Sequence, residues 1–76
     1  MSEVEWMRIF GDNLKEILEE RGMTQRDLAD ETGLSESAIS NYINKKRMAD
    51  VRAVLNIWYA LGCPIDDIFD FGDMLY

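Results

Sequence analysis

The side chains able to do chemistry in this 76-residue chain are few and one-sided. There is no histidine and one cysteine, Cys63, set among fifteen acidic and eight basic residues. A disulfide needs a second thiol, and a zinc site needs about four Cys, His or carboxylate ligands at suitable spacing. The sequence offers no nucleophile–base pair and no glycine-rich phosphate loop, so neither an enzyme nor a metal or organic cofactor is expected. Without an acid–base partner, Cys63 reads as an inert packed thiol. What is left is the run Asn44, Lys45, Lys46 and Arg47, whose chemistry is contact with anions. Such a cluster clamps phosphate, and it equally complements the negative end of a preceding helix.

The formal net charge of −7, with a pI near 4.3, opposes a polyanion partner when taken as a single number. Along the chain it divides unevenly. Residues 1–22 carry −3, residues 23–33 carry −2, residues 34–47 carry +2, residues 48–62 are neutral and residues 63–76 carry −4. The one net-positive stretch contains the Asn44–Arg47 run, and the acid gathers toward the two ends.

These residues have to be positioned by helices. Trp6, Ile9, Phe10, Leu14, Ile17 and Leu18 recur at spacings of three and four, the mark of an amphipathic helix, which Gly22 should close. Thr24 is an expected N-cap for a second helix, with Asp27 completing a capping box, Leu28 and Ala29 inward, and Gly33 at the end. Ser35 should cap a third helix with the stripe Ala38, Ile39, Tyr42 and Ile43. Asp50 should cap a fourth, with Val51, Val54, Leu55, Trp58 and Leu61 recurring at helical spacing and Gly62 closing it. Pro64 can open a fifth through Ile65, Ile68 and Phe69. Nothing alternates as a strand does, so an all-α domain of five short helices is expected, with Trp6, Phe10, Tyr42, Trp58 and Phe69 as core aromatics.

The ordered set Met23-Thr24-Gln25-Arg26-Asp27-Leu28-Ala29 through Gly33-Leu34-Ser35 to Ile39-Ser40-Asn41-Tyr42 resembles the helix-turn-helix of the Cro/C1 repressor (XRE-like) family. The likeness covers residues 10–69 of a single domain spanning 1–76. Residues 1–9 lengthen the first helix, and residues 70–76 form an acidic, aromatic tail. The resemblance implies a compact, five-helix, lambda-repressor-like DNA-binding domain whose helix-turn-helix is made by helices 2 and 3. It has physical sense residue by residue. Ala29 is small where the third helix crosses, Gly33 takes the turn, and Leu34 with Ile39 holds the two helices at their crossing.

By the same resemblance, Glu36, Ser37, Ser40 and Asn41 point into the major groove. Asn41 can pair bidentately with adenine, the serines suit donor or acceptor sites, and Glu36 can accept from a cytosine amine. Gln25 and Arg26 at the start of the second helix, and Asn44, Lys45, Lys46 and Arg47 after the third, would contact phosphate. Tyr42 could add its hydroxyl from the edge of the core, and Lys15 is a weaker candidate of the same kind. Each has a bland alternative, since an outward helix face is ordinarily polar. Asn13 departs from the family, which often carries a basic residue there, and this weakens the backbone clamp.

The implied function is a sequence-specific double-stranded DNA-binding regulator, a repressor of phage or mobile-element style, working as a homodimer. The alternative is an acidic protein-interaction module, antitoxin-like or an anti-regulator, that keeps the fold and binds a protein. Phe71, Met74, Leu75 and Tyr76 are too apolar for an idle tail; they fold back on the first helix or form a partner surface. No apolar run is long enough to span a bilayer and no secretory leader is seen, so a cytoplasmic setting with no membrane partner is expected. No small-molecule effector is expected, because no second domain is available to sense one.

Overall fold

The computed structural model describes residues 2–62. Four α-helices run through them: α1 Glu3–Arg21, α2 Gln25–Thr32, α3 Glu36–Ile43 and α4 Val51–Leu61. Among the described residues there is no strand. The expected fifth helix, Cys63 and the tail with Phe71, Met74, Leu75 and Tyr76 lie outside the described residues.

The helix boundaries follow side-chain chemistry. Each helix begins at a residue whose oxygen satisfies a backbone N–H left free in the first turn. Ser2 accepts from Glu5, Ser35 from Ala38 and Asp50 from Ala53. At α2 the exchange is reciprocal. The Asp27 amide donates to Thr24 Oγ1, and the Thr24 amide donates to Asp27 Oδ2, each at 3.0 Å. These hydrogen bonds from Thr24, backbone first and then side chain, with Arg26 adding a smaller attraction, hold the Asp27 carboxyl below the usual carboxylate range. The first helix begins at Glu3, directly after its cap Ser2.

Gly33 takes the turn between α2 and α3 at φ 77, a left-handed conformation that strains any residue with a Cβ. Thr32 fastens that turn. Its hydroxyl donates to the Leu28 carbonyl at 2.9 Å and accepts from the Leu34 amide at 3.2 Å. Beneath it, Phe10, Leu14, Leu28, Ile39 and Ile57 are fully buried, joining α1, α2, α3 and α4 in one core. Tyr42 meets Phe10 edge-on, with ring centroids 6.2 Å apart. Trp6 and Leu34 pack against this core from its margin.

One sequence expectation fails on α4. The buried residues there are Ala53, Val54, Ile57 and Leu61. Trp58, expected in the core, is 38% exposed, Leu55 is 46% exposed and Val51 is 75% exposed. The cause is that α4 is apolar on two sides. Val51, Leu55 and Trp58 repeat at helical spacing as well as Val54, Ile57 and Leu61 do, so periodicity cannot choose between them. Packing against α2 decides, and it leaves an apolar strip with Tyr59 facing outward.

Candidate nucleic-acid interface

Two features of α1 set the position of α3. Phe10 supplies the apolar contact, and Gly11 supplies the closeness. A Cβ built at Gly11 would lie 2.6 Å from the Tyr42 carbonyl oxygen and 3.1 Å from that of Ile43. Only hydrogen at this position lets the C-terminal end of α3 rest on the first helix. With α2 packed on its other side, α3 is held by the core along Ile39, Tyr42 and Ile43 and turns its remaining surface outward.

That outward surface carries the expected base-reading residues. Glu36 and Ser37 are exposed, while Ser40 and Asn41 are half-buried on the same side of the helix. Ser40 and Asn44 are linked, the Asn44 amide donating to the Ser40 hydroxyl at 3.1 Å. The expected anion-contacting residues divide into two groups around this face. Arg26, Asn44, Lys45, Lys46 and Arg47 are exposed, and Gln25 is half-buried at the first position of α2. Tyr42 is different. At 5% exposure it belongs to the core, so its aromatic ring serves the packing of α3 on α1 before anything else.

The end of α3 has a feature that sequence reasoning did not find. Lys45 has φ 61, the left-handed conformation, and it is the one described non-glycine residue that does. Its amide donates to the Tyr42 carbonyl at 3.2 Å, and the Lys46 amide donates to the Asn41 carbonyl at 2.9 Å. This is the paired closure in which glycine usually takes the left-handed position. The Lys45 ammonium meets Asp12 of α1 at 2.5 Å.

Between α1, the start of α2 and the end of α3 lies an open cleft of about 590 Å³. Gln25, Asn44 and Lys45 line it together with Lys15, and so do the carboxylates of Asp12 and Glu19. The free backbone N–H groups at the start of α2 add partial positive charge nearby. The cleft thus brings Gln25 of the second helix together with Asn44 and Lys45 from after the third, whereas Arg26, Lys46 and Arg47 do not line it. Asp12 was not among them. The available signal was its neighbour Gly11, a mid-helix glycine that marks close packing.

Among the described residues, no helix is long and apolar enough to cross a membrane, and no group of three or more Cys, Asp or Glu is placed to hold a metal ion.

Residues 14–68, more than half of the chain, match the family described as Helix-turn-helix (HTH_3). No curated protein matches the chain by sequence. Among solved structures, the chain is similar to the restriction-modification controller protein C.AhdI from Aeromonas hydrophila. The TM-score is 0.78 at 25% sequence identity, covering 83% of this chain and 96% of that one.

Proposed function

The chain belongs to the XRE-type helix-turn-helix family of DNA-binding transcription regulators, and from that premise we propose that it reads a specific duplex sequence with α3 in the major groove. The observation that carries the proposal is the outward face of α3. Four polar side chains at helical spacing are followed at once by three cations, in a chain that is otherwise acidic. Asn41, Ser37 and Ser40 supply the donors and acceptors for base edges, with Glu36 as an acceptor at the entering end of the helix. Gln25, Arg26, Asn44, Lys45, Lys46 and Arg47 hold the flanking phosphates and fix the register.

The protein acts in this reading as a homodimer, which sets two copies of α3 ~34 Å apart on a pseudo-palindromic site. The exposed α4 strip of Val51, Leu55, Trp58 and Tyr59 is the surface suited to association. The same strip is the observation that favours the second reading, a module that binds another protein. The two readings part on DNA. The regulator's role is that of a small repressor of phage or mobile-element style, and the likeness to a restriction-modification controller supports a regulator of that size.

The test is selection of bound sequences from random duplex DNA, repeated with Asn41→Ala and Lys46→Ala. The first variant should lose preference at one base pair by about 1–3 kcal/mol, and the second should weaken all sequences alike. A wild-type protein that enriches no sequence and binds no duplex at low salt overturns the regulator reading in favour of the protein-binding one.

A further inference from the structure

We propose that Asp12 sets the affinity of the phosphate cleft by holding the Lys45 ammonium in the free protein, so that a DNA phosphate must displace its carboxylate. The inference rests on the DNA-binding reading and concerns a residue that reading does not use.

Four observations converge on Asp12. Its carboxylate pairs with Lys45 Nζ, and both side chains stay about half exposed, so the pair is open to a competing anion. Gly11, the preceding residue, seats α1 against the Tyr42 and Ile43 carbonyls, which fixes Asp12 at this spot. Asp12 therefore stands near the C-terminal, negative end of α3, where a carboxylate is unfavourable unless a cation offsets it. Lys45 is that cation, and it reaches Asp12 from a left-handed backbone that a glycine would occupy without strain.

The charge of the cleft completes the argument. Lys15 and Lys45 are matched there by Asp12 and Glu19, so the cleft is neutral although it contains the proposed phosphate ligands Gln25, Asn44 and Lys45. A phosphate entering the cleft meets a cation already occupied and a carboxylate that repels it. An exposed ion pair is weak, so the exchange is permitted, but it subtracts from the binding of every duplex whatever its sequence. Asp12 acts through Lys45 and is a positioning residue that restrains binding.

The test uses the full chain and a fluorescein-labelled random-sequence duplex of about 24 base pairs, with affinity followed by anisotropy across a salt series. Asp12→Asn should bind about threefold to fivefold more tightly at low salt, and its log–log salt slope should steepen by about 1. On a Lys45→Gln background, Asp12→Asn should change affinity by less than about twofold, because the partner is gone. Glu16→Gln removes the same charge from α1 outside the cleft and should likewise change affinity by less than about twofold. Unchanged or weaker binding by Asp12→Asn overturns the proposal while leaving the DNA reading intact. So does an equal gain with Lys45→Gln present or with Glu16→Gln, which would make the effect one of bulk charge. If the wild-type protein and every variant fail to bind duplex at low salt, the DNA reading falls and this inference falls with it.

Discussion

Helices α3 and α4 bury apolar stripes in the same core, yet they turn opposite kinds of surface outward. On α3 the exposed side carries Glu36, Ser37, Ser40 and Asn41 and ends in Lys45, Lys46 and Arg47. On α4 it carries Val51, Leu55, Trp58 and Tyr59, the last 89% exposed. A polar face with a cationic end offers hydrogen bonds and charge to a solvated ligand, whereas an apolar strip gains only when another apolar surface covers it. In this account the first meets DNA and the second meets a partner copy, so damage to one should leave the work of the other intact.

The largest expected effect comes from the core the two helices share. Ile39→Ala should cost about 2–5 kcal/mol in urea unfolding, because Ile39 is fully buried, and it should abolish both functions together. Leu55→Glu with Tyr59→Glu should separate them. The protein should keep its helical signal, sediment as a monomer, and bind a half-site with little change while losing affinity for a full palindrome. Retention of the dimer in that variant would remove α4 from the association surface. Gly11→Ala comes next, at about 1–3 kcal/mol of stability, since its Cβ would press on the Tyr42 carbonyl and shift α3 on α1.

Lys45→Gly sharpens the comparison from the opposite direction. Relief of the left-handed strain should raise stability by about 1 kcal/mol in urea unfolding, while affinity for any duplex should fall. A gain in stability with no loss of binding would remove Lys45 from the phosphate-contacting set. The smallest effect is electrostatic. The Asp27 carboxyl is held below its ordinary range in the folded protein, so its stabilising contribution is present above the unfolded-state value and is lost as pH falls through the folded one. Asp27→Asn should flatten that part of an acid-unfolding curve at the low-pH end, and an unchanged curve would count against the capping box as its source.

Most of the scaffold was legible because it is written in local chemistry. Thr24 with Asp27, Ser35 and Asp50 begin helices by hydrogen bonds spanning three residues, and Gly22, Gly33 and Gly62 end them in left-handed conformations. The face of α3 was legible too, since its polar and apolar sides contrast. The face of α4 was not, because both sides are apolar and the choice is made by α2, far away in sequence. Nor was the pairing of Asp12 with Lys45, which depends on how closely Gly11 lets two helices approach. Arg21, whose guanidinium donates to the Leu61 carbonyl at the end of α4, was hidden for the same reason. Local hydrogen bonds can be read along the chain, whereas charge pairs between helices depend on the packing first.

The central claim is that the outward face of α3 reads bases while the groups around it hold phosphate. The most direct measurement is the affinity ratio between a selected duplex and a scrambled one, for wild type, Asn41→Ala and Lys46→Ala at fixed salt. Asn41→Ala should lower this ratio by about fivefold or more, whereas Lys46→Ala should weaken both duplexes and leave the ratio unchanged. A ratio that survives Asn41→Ala but collapses with Lys46→Ala would contradict the claim.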